Sequence, residues 1–352
     1  MFWRVVLVVM IGGLAAGCYG PVPVQPFAES RTPPDLASRF FQPEGWAWGF
    51  IQVGSNPPQR YGVVSTWRVP RATIIILPDT QDCTEAWFET ATDLTHRRYS
   101  VWVLDRASEC GSGRIRAPSD RVDVASFAPD IAAVKALLRI VVRPNGDTPV
   151  ILLGQGQGAI LALSAVETGL KVDGLVLSSP SMKSTAEWRP WSQSTPDAFQ
   201  SAKTHDPWRG HVTQSWMTAN PDLRGSGPSS RWLRQATQFD QDARRNAKGL
   251  GLTTLILSPG PALTKDLDLC GAIGTCSLIP LIDARPALSL EQDTWRGPWL
   301  DAIVRFIAVK ADAARRVGPD RNAPAIPSVP SPLSEDQRSK DTISGSDQNS
   351  DL

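Results

Sequence analysis

Residues 154–159 of this chain read Gly-Gln-Gly-Gln-Gly-Ala, and the segments on either side of them decide the fold. Residues 150–153, Val-Ile-Leu-Leu, are all apolar and predict a buried strand. Residues 160–168 have apolar positions at helical spacing and predict a helix, which Gly169 would cap. The sequence therefore predicts a strand, a tight glycine turn and a helix in immediate succession.

This unit has the frame of a nucleophile elbow, in which a Gly-x-Ser-x-Gly turn presents a reactive serine. The middle of the turn is Gly156 here, which has no side chain and provides no nucleophile. A second interpretation is a dinucleotide-binding fingerprint, which Gly154, Gly156 and Ala159 formally match. That fingerprint requires an acidic residue at the end of the next strand, where residues 178–180 read Ser-Ser-Pro. We favour the elbow frame and expect no cofactor.

The first 17 residues have the pattern of a signal peptide. Arg4 is followed by an apolar run, residues 5–16, that is too short to span a bilayer as a mature helix. The run leads into Cys18 through Ala-Ala-Gly, which resembles a bacterial lipobox. The resemblance implies cleavage before Cys18 and a membrane anchor of acyl chains such as palmitate on that residue. Tyr19 after the cysteine implies the outer membrane, facing the periplasm. The alternative is an ordinary signal peptide with an incidental cysteine.

Composition divides the rest of the chain into three parts. Residues 18–40 are proline-rich and predict a tether, and residues 41–314 are numerous enough for one folded domain. Residues 315–352 are rich in Pro, Ser, Asp and Gln and predict a disordered tail. The formal net charge of +1 falls towards zero when the signal peptide and Arg4 are removed. This balance argues against nucleic acid as a partner.

Strand and helix patterns alternate through the folded part. Strands are predicted at residues 46–50, 60–67, 73–77, 100–105, 150–153, 175–177, 253–257 and 278–282, and helices at 85–94, 127–142, 160–168 and 295–309. Such alternation predicts an α/β fold with a mostly parallel sheet and helices on both faces. Residues 182–248 break the rhythm and predict a helical cap inserted over the strand ends.

This arrangement resembles the α/β-hydrolase fold, and specifically its lysophospholipase or monoacylglycerol-lipase branch. The segments that carry the resemblance are residues 77–82, 85–90, 104–106, 111–114, 172–180, 220–223 and 230–233. They occur in the order of that branch and extend the resemblance over residues 46–307. The resemblance implies hydrolysis of an ester by a serine, an aspartate and a histidine, in that chain order, with backbone donors for the oxyanion.

Four positions depart from that machinery. The nucleophile position is Gly156, the acid position after the strand at 253–257 is Pro261, and the base position is Pro286. Asp79 stands where the family has a glycine that helps to form the oxyanion hole. We expect the donors to be missing there and the carboxylate to repel a developing oxyanion. No histidine follows His211, so we expect no catalytic residue and no serine hydrolysis.

Other side chains are weaker candidates for a replacement site. They are the thiols of Cys83 and Cys110, the hydroxyls of Ser178, Ser179 and Ser289, and a carboxylate cluster of Asp79, Asp82 and Glu109. None of these hydroxyls or thiols has a base that the sequence makes visible, and loop carboxylates are usually solvated.

Four cysteines remain besides Cys18. An even number in an exported chain favours disulfides. Cys270 and Cys276 flank a short loop, and Cys83 and Cys110 each follow a predicted strand, so both pairs are plausible partners. Buried free thiols are the alternative. The three histidines share no ligand spacing with the cysteines, so no metal site is expected.

The predicted cap carries five tryptophans, namely Trp188, Trp191, Trp208, Trp216 and Trp232. We expect most of them to pack the cap onto the sheet, with one or two lining a retained cleft. The residues proposed to face that cleft are Asp79, Gln155, Gln157, Trp188, Trp191 and Trp232.

These observations lead to a hypothesis of a membrane-anchored lipoprotein whose hydrolase-like domain has lost its catalytic residues. We expect it to bind a lipid-like ligand or an envelope protein through the cleft or the cap. The competing hypothesis is an active lysophospholipase or esterase with a non-standard nucleophile, and a third is a structural subunit whose cap is an interface.

Overall fold

A computed structural model describes residues 29–114, 122–180, 203–223 and 227–317 of the 352-residue chain. Contacts divide the chain into one compact unit, Met1–Arg316, and a second, Val317–Leu352. Everything described below belongs to the first unit, apart from Val317. Within the described residues, no helix has both the length and the apolar character needed to cross a membrane.

Eight strands form one sheet in the order β1-β2-β4-β3-β5-β6-β7-β8. The strands are β1 Ala47–Ile51, β2 Gln59–Val64, β3 Ala72–Leu77, β4 Tyr99–Leu104, β5 Val150–Gln155, β6 Gly174–Ser178, β7 Thr254–Pro259 and β8 Cys276–Leu281. β2 pairs antiparallel with β1 and β4, and every other pairing is parallel. The predicted mostly parallel sheet with an opening hairpin is confirmed.

The central strands are mostly apolar on both faces because both faces of the sheet are covered. Ile74 and Ile76 of β3 belong to one buried cluster and Ile75 and Leu77 to another, as the alternation of side chains along a strand requires. Five helices on the two faces of the sheet contribute to these clusters, namely α1 Phe88–His96, α2 Ala128–Ala136, α3 Gln157–Glu167, α6 Leu263–Ile273 and α7 Asp293–Val317. Helices therefore cover both faces of the sheet.

Two helices of the cap are described, α4 Pro207–Ala219 and α5 Ser230–Asn246, between β6 and β7. Each begins at a side chain that caps it, because Asp206 accepts hydrogen bonds from the first turn of α4 and Ser229 does so for α5. Trp216 is fully buried with its ring 5.3 Å from that of Phe88. The rest of the predicted cap, residues 182–202 and 224–226, lies outside the described residues.

Helix boundaries differ from those predicted by the sequence patterns. The helix predicted from residue 85 begins as a 3-10 turn, Thr84–Trp87, and the helix predicted to reach residue 142 ends in a π-helical segment, Leu137–Val142. α7 extends from Asp293 to Val317, whereas the sequence pattern predicts this helix at residues 295–309. Apolar spacing locates the middle of a helix better than its ends, which depend on local backbone bonds.

Candidate active site

The predicted elbow is present where β5 runs into α3. Gly156 joins them with φ 55° and ψ −121°, a backbone conformation that residues with a side chain adopt only under strain. The start of α3 also lies very close to β3. A β-carbon on Gly158 would lie 2.1 Å from the backbone oxygen of Leu77, so the backbone can approach this closely only at a glycine. The chain thus keeps the strained backbone of a nucleophile elbow without a nucleophile.

The carboxyl group of Asp79 fills the space beside Gly156. A β-carbon built on Gly156 would lie 2.2 Å from Cγ of Asp79, far closer than a carbon can approach. Asp79 Oδ1 accepts one hydrogen bond from the backbone N–H of Gln157 and one from the backbone N–H of Thr80, each 2.8 Å long. The aspartate of the loop after β3 is therefore bound at the start of α3.

Those two N–H groups lie at the positions of the donors of an oxyanion hole. In α/β-hydrolases one donor follows the nucleophile and the other lies on the loop after the third strand. Gln157 follows Gly156, and Thr80 lies on the loop after β3. Our expectation that donors would be missing is wrong: both are present, and the carboxylate of Asp79 occupies them. The hole is filled by a charge from the chain itself.

Lys203 lies on the other side of this carboxylate. Its Nζ is 3.9 Å from Asp79 Oδ2 and 3.4 Å from Asp82 Oδ1. Burial alone lowers the pKa of Lys203, but Asp82 and Asp79 outweigh it and hold the pKa above its usual value. Burial raises the pKa of the Asp82 carboxyl, and Lys203 counters that rise. A lysine that stays charged thus neutralises part of the acidic loop.

The loop after β4 supports the loop that carries Asp79. Arg106 Nη2 donates to Thr80 Oγ1 over 2.8 Å, and Glu109 Oε2 accepts a 2.8 Å bond from the backbone N–H of Gln81. Arg106 and Glu109 also form a buried ion pair with a 2.7 Å separation. Burial raises the pKa of Glu109, while Arg106 favours the charged form. The carboxylate cluster suggested by the sequence thus comes together around two cations.

Two disulfides are present in the described residues. Cys83–Cys110 joins the loop after β3 to the loop after β4, and Cys270–Cys276 closes the end of α6 onto β8. Because Cys83 and Cys110 are bonded to each other, neither offers a thiol as a replacement nucleophile. Within the described residues, no group of three or more His, Cys, Asp or Glu side chains is arranged to hold a metal ion.

The acid and base positions hold no titratable group. Pro261 lies in the 3-10 turn Gly260–Ala262 after β7, and Pro286 lies in the loop after β8. The carboxylate nearest to Pro261 along the chain, Asp266, is buried on α6 and accepts a 2.6 Å bond from Ser258 Oγ. Neither loop therefore supplies the aspartate–histidine pair that serine hydrolysis requires.

The three histidines lie elsewhere. His96 is exposed at the end of α1, beside the amino edge of the sheet. His205 Nδ1 lies 2.8 Å from Glu291 Oε1, and its ring stacks on Trp295 at 4.9 Å. His211 is exposed on α4. His205 and Glu291 thus join the beginning of the cap to the segment before α7.

The candidate serine nucleophiles form part of the packing beneath the elbow. Ser178 Oγ accepts a 2.9 Å bond from Trp299 Nε1 and lies 3.4 Å from Gln155 Oε1. Ser289 Oγ accepts from Gln155 Nε2 over 3.0 Å, and Ser179 is buried. None of these hydrogen bonds involves a histidine, so the contacts give no base to activate a serine.

Three residues expected in a cleft are buried. Gln155 is bonded to Ser289, and Trp232 packs among Val122, Phe127 and Ala236, so our expectation that these two face a ligand is wrong. The side chain of Gln155 is bonded inside the protein and that of Trp232 packs against apolar side chains, so neither is exposed to solvent. Gln157 is 2% exposed, and its side-chain amide has no hydrogen-bond partner among the described residues. Trp188 and Trp191 lie outside the described residues.

Sequence reasoning did not single out Thr80 or Lys203. Thr80 contributes through its backbone N–H, which every residue except proline carries. Lys203 lies far along the chain from Asp79, the carboxylate that it contacts. No residue pattern marks either contribution. Only the folded positions reveal them.

The eight-stranded sheet, the elbow and the oxyanion donors define an α/β-hydrolase. The family model for serine aminopeptidases, S33, matches residues 68–260, more than half of the chain. The chain belongs to this family of α/β-hydrolases. No curated protein sequence matches it.

Solved structures show the same fold at low identity. A soluble variant of monoglyceride lipase from Saccharomyces cerevisiae, in complex with a substrate analog, has a TM-score of 0.59 and 13% identity, over 76% of this chain and 96% of that one. Monoacylglycerol lipase from Paleococcus ferrophilus has a TM-score of 0.54 and 14% identity, over 71% and 98%. A thermostable carboxyl esterase from Bacillus coagulans, in complex with glycerol, has a TM-score of 0.56 and 13% identity, over 76% and 100%.

Proposed function

We propose that this chain is a membrane-anchored, periplasm-facing lipoprotein whose α/β-hydrolase domain is catalytically inactive. It binds a lipid-like ligand or an envelope protein instead of turning over an ester. The observation that carries the proposal is the pair of hydrogen bonds from Thr80 and Gln157 to the carboxylate of Asp79.

The filled oxyanion hole supports the loss of catalysis. A neutral substrate carbonyl would have to displace a full negative charge that is tethered beside both donors. Losing a single oxyanion donor slows serine hydrolases by about 100- to 1000-fold. Losing the triad costs on the order of a million-fold in turnover. Gly156, Pro261 and Pro286 remove the triad, and Asp79 takes the donors, so the two losses act together.

The same loop geometry argues against hydrolysis through another nucleophile. The thiols of Cys83 and Cys110 are joined in a disulfide, and Ser178 and Ser289 are bonded to Gln155. An active esterase would therefore have to use a residue without a neighbouring base. Measurement of ester turnover distinguishes this competing function from ligand binding.

The buried amide of Gln157 supports a ligand at the elbow. An unpaired buried amide costs about 1–3 kcal/mol, and a hydroxyl or carbonyl of a ligand would satisfy it. The structural neighbours include enzymes named for monoglycerides, whose glycerol head group has such hydroxyls. The head group of a monoacylglycerol-like lipid would supply a partner for this amide.

Ester turnover and ligand capture test the two halves of the domain proposal. Purified full chain should not hydrolyse a short-chain ester, and Gly156→Ala should not change that background. Native mass spectrometry after addition of 1-monooleoylglycerol should show one bound lipid, weakened in Gln157→Leu and retained in the control Trp208→Ser. Turnover by the full chain above the rate of a protein-free blank would favour the esterase. A stoichiometric co-purifying protein without lipid would favour the envelope-partner form of the proposal.

The anchor has an independent test. Cells fed labelled palmitate should incorporate it into the wild-type chain and not into Cys18→Ser, while fractionation should place the wild type in the outer membrane. The signal-like run before Cys18 supports this expectation. Incorporation that persists in Cys18→Ser would overturn the anchor and leave the domain proposal untouched.

A further inference from the structure

The loop between β2 and β3 places two large apolar side chains in solvent. Trp67 is 87% exposed and Val69 is 78% exposed. Single exposed apolar residues are ordinary on protein surfaces, so their exposure alone implies nothing. Their surroundings are what distinguish them.

Arginines surround this loop at the amino edge of the sheet. The guanidinium of Arg68 lies over the Trp67 ring, 4.4 Å from its centroid. The backbone N–H of Arg71 donates to the backbone oxygen of Arg98 over 2.8 Å, and Arg98 Nη2 donates to the backbone oxygen of Val69 over 3.3 Å. The loop is therefore held directly against the residues that precede β4.

Two more arginines complete what we call the basic edge, defined by Trp67, Arg68, Val69, Arg71, Arg97, Arg98 and Arg315. Arg71 lies 3.7 Å from Asp312 on α7, and Arg315 pairs with the same aspartate at 2.6 Å. Arg97 lies 4.0 Å from Asp93. The basic edge therefore has five arginines, three of which contact the carboxylates of Asp312 and Asp93, although the whole chain has 36 basic and 35 acidic residues.

The phenol of Tyr99 shows that three of these arginines converge. Burial raises the pKa of Tyr99, while Arg71, Arg97 and Arg315 all oppose the rise and Asp312 adds to it. Arg97 precedes β4 by two residues. Arg71 is bonded to the Arg98 backbone and shares Asp312 with Arg315, so these basic groups lie near the start of β4. Further along the same edge, Asp173 accepts a 2.8 Å bond from the backbone N–H of Val150 and is engaged there.

We propose that the basic edge docks on an anionic phospholipid surface. Tryptophan favours the boundary between head groups and acyl chains, where its ring is apolar and its N–H is wet. Arginine binds phosphate oxygens in a bidentate manner and is attracted to anionic membranes. The loop thus combines a side chain that enters the interface with a cluster that matches its charge.

This surface is separate from the hydrolase site. Asp79 follows the carboxyl end of β3 and Arg71 precedes its amino end, so the six residues of that strand, about 20 Å, lie between them. The inference goes beyond the proposed function, because a lipid contact here requires neither the loss of catalytic activity at the elbow nor acylation of Cys18.

Hydrogen exchange of the full chain in bilayers tests the proposal without relying on the anchor. The chain is placed in phosphatidylcholine bilayers with or without phosphatidylglycerol, and exchange of residues 65–71 is followed by mass spectrometry. We expect slower exchange only with the anionic lipid. Removing one arginine should weaken the contact about fivefold, which is the effect of one basic residue near an anionic surface. High salt should also reverse the protection.

Matched variants separate docking from folding. Trp67→Ser with Val69→Ser should lose the lipid-dependent protection, and so should Arg68→Gln with Arg98→Gln. Trp208→Ser removes an equally isolated exposed tryptophan, 73% exposed on α4, and should keep the protection. Thermal melts of all variants check that they fold. Equal exchange of residues 65–71 in both lipids would overturn the proposal, as would protection that survives in both loop variants.

Discussion

Oδ1 of Asp79 lies 2.8 Å from the backbone nitrogen of Gln157, in the position where a hydrolase stabilises the negative charge of its reaction intermediate. The same oxygen accepts a second bond from Thr80. The backbone of the active site is therefore preserved, and its two N–H donors are bonded to a carboxylate of the chain itself. Loss of the nucleophile and filling of the hole are linked, because the carboxyl of Asp79 occupies the space that a side chain at position 156 would need.

Gly156→Ser alone should remain inactive towards short-chain esters. The new serine would lack a base, and its β-carbon would lie 2.2 Å from Cγ of Asp79 unless that carboxyl moved. The measurement is ester turnover compared with Gly156→Ala, which has the same backbone change without a hydroxyl. Efficient hydrolysis by the serine variant, absent from the alanine variant, would show that the remaining machinery is intact and that our interpretation is wrong.

The contact between Asp79 and Gly156 should appear as coupled stability. Gly156→Ala places a β-carbon at φ 55°, which costs about 1–3 kcal/mol, and it also displaces the Asp79 carboxyl. In an Asp79→Gly background only the backbone cost remains. Denaturant unfolding of the four proteins should give a coupling energy of about 1–2 kcal/mol. Strictly additive costs would mean that Asp79 does not fill this space.

Protonation of Asp130 should contribute to the pH dependence of the free energy of unfolding. This residue of α2 is buried, and burial raises its pKa from 3.8 to about 7 while its Oδ1 accepts a bond from Ala107 N–H. The folded state therefore holds a proton that the unfolded chain releases, and this contribution to stability is lost as pH rises from about 4 to about 7.

Asp130→Asn should remove that loss because the amide oxygen can keep the bond from Ala107. We expect the drop in Tm between pH 5 and pH 8 to be smaller in Asp130→Asn than in the wild type. Asp222→Asn, at an exposed position, is the control and should leave the drop unchanged. An equal drop in Asp130→Asn would exclude a proton on Asp130.

Removal of the two disulfides should have unequal effects. Cys83–Cys110 closes 27 residues and Cys270–Cys276 closes six. Loop-closure entropy gives about 3.5 kcal/mol for the longer loop and about 2 kcal/mol for the shorter. Paired Cys→Ala variants compared by denaturant unfolding should follow this order. The reverse order would show that loop entropy does not govern their stabilising effects.

The strand, turn and helix of the elbow could be predicted from the sequence, whereas the position of the Asp79 carboxylate on the two backbone donors could not. The run at residues 150–159 combines an apolar strand with a glycine turn, so local patterns were sufficient to predict the elbow. The bond between Asp79 and Gln157 joins positions 78 residues apart and depends on where two loops meet. From the sequence, we expected the carboxylate at position 79 to repel an oxyanion and the donors for that oxyanion to be missing. The fold instead brings two backbone N–H groups to it.

Labelling with a fluorophosphonate probe tests the central claim most directly, because the probe reacts with an activated serine whatever its position in the chain. The purified full chain should show no covalent adduct by intact-mass spectrometry under conditions that label a control esterase completely. A stoichiometric adduct on the wild-type chain, mapped to one of its own residues, would contradict the account.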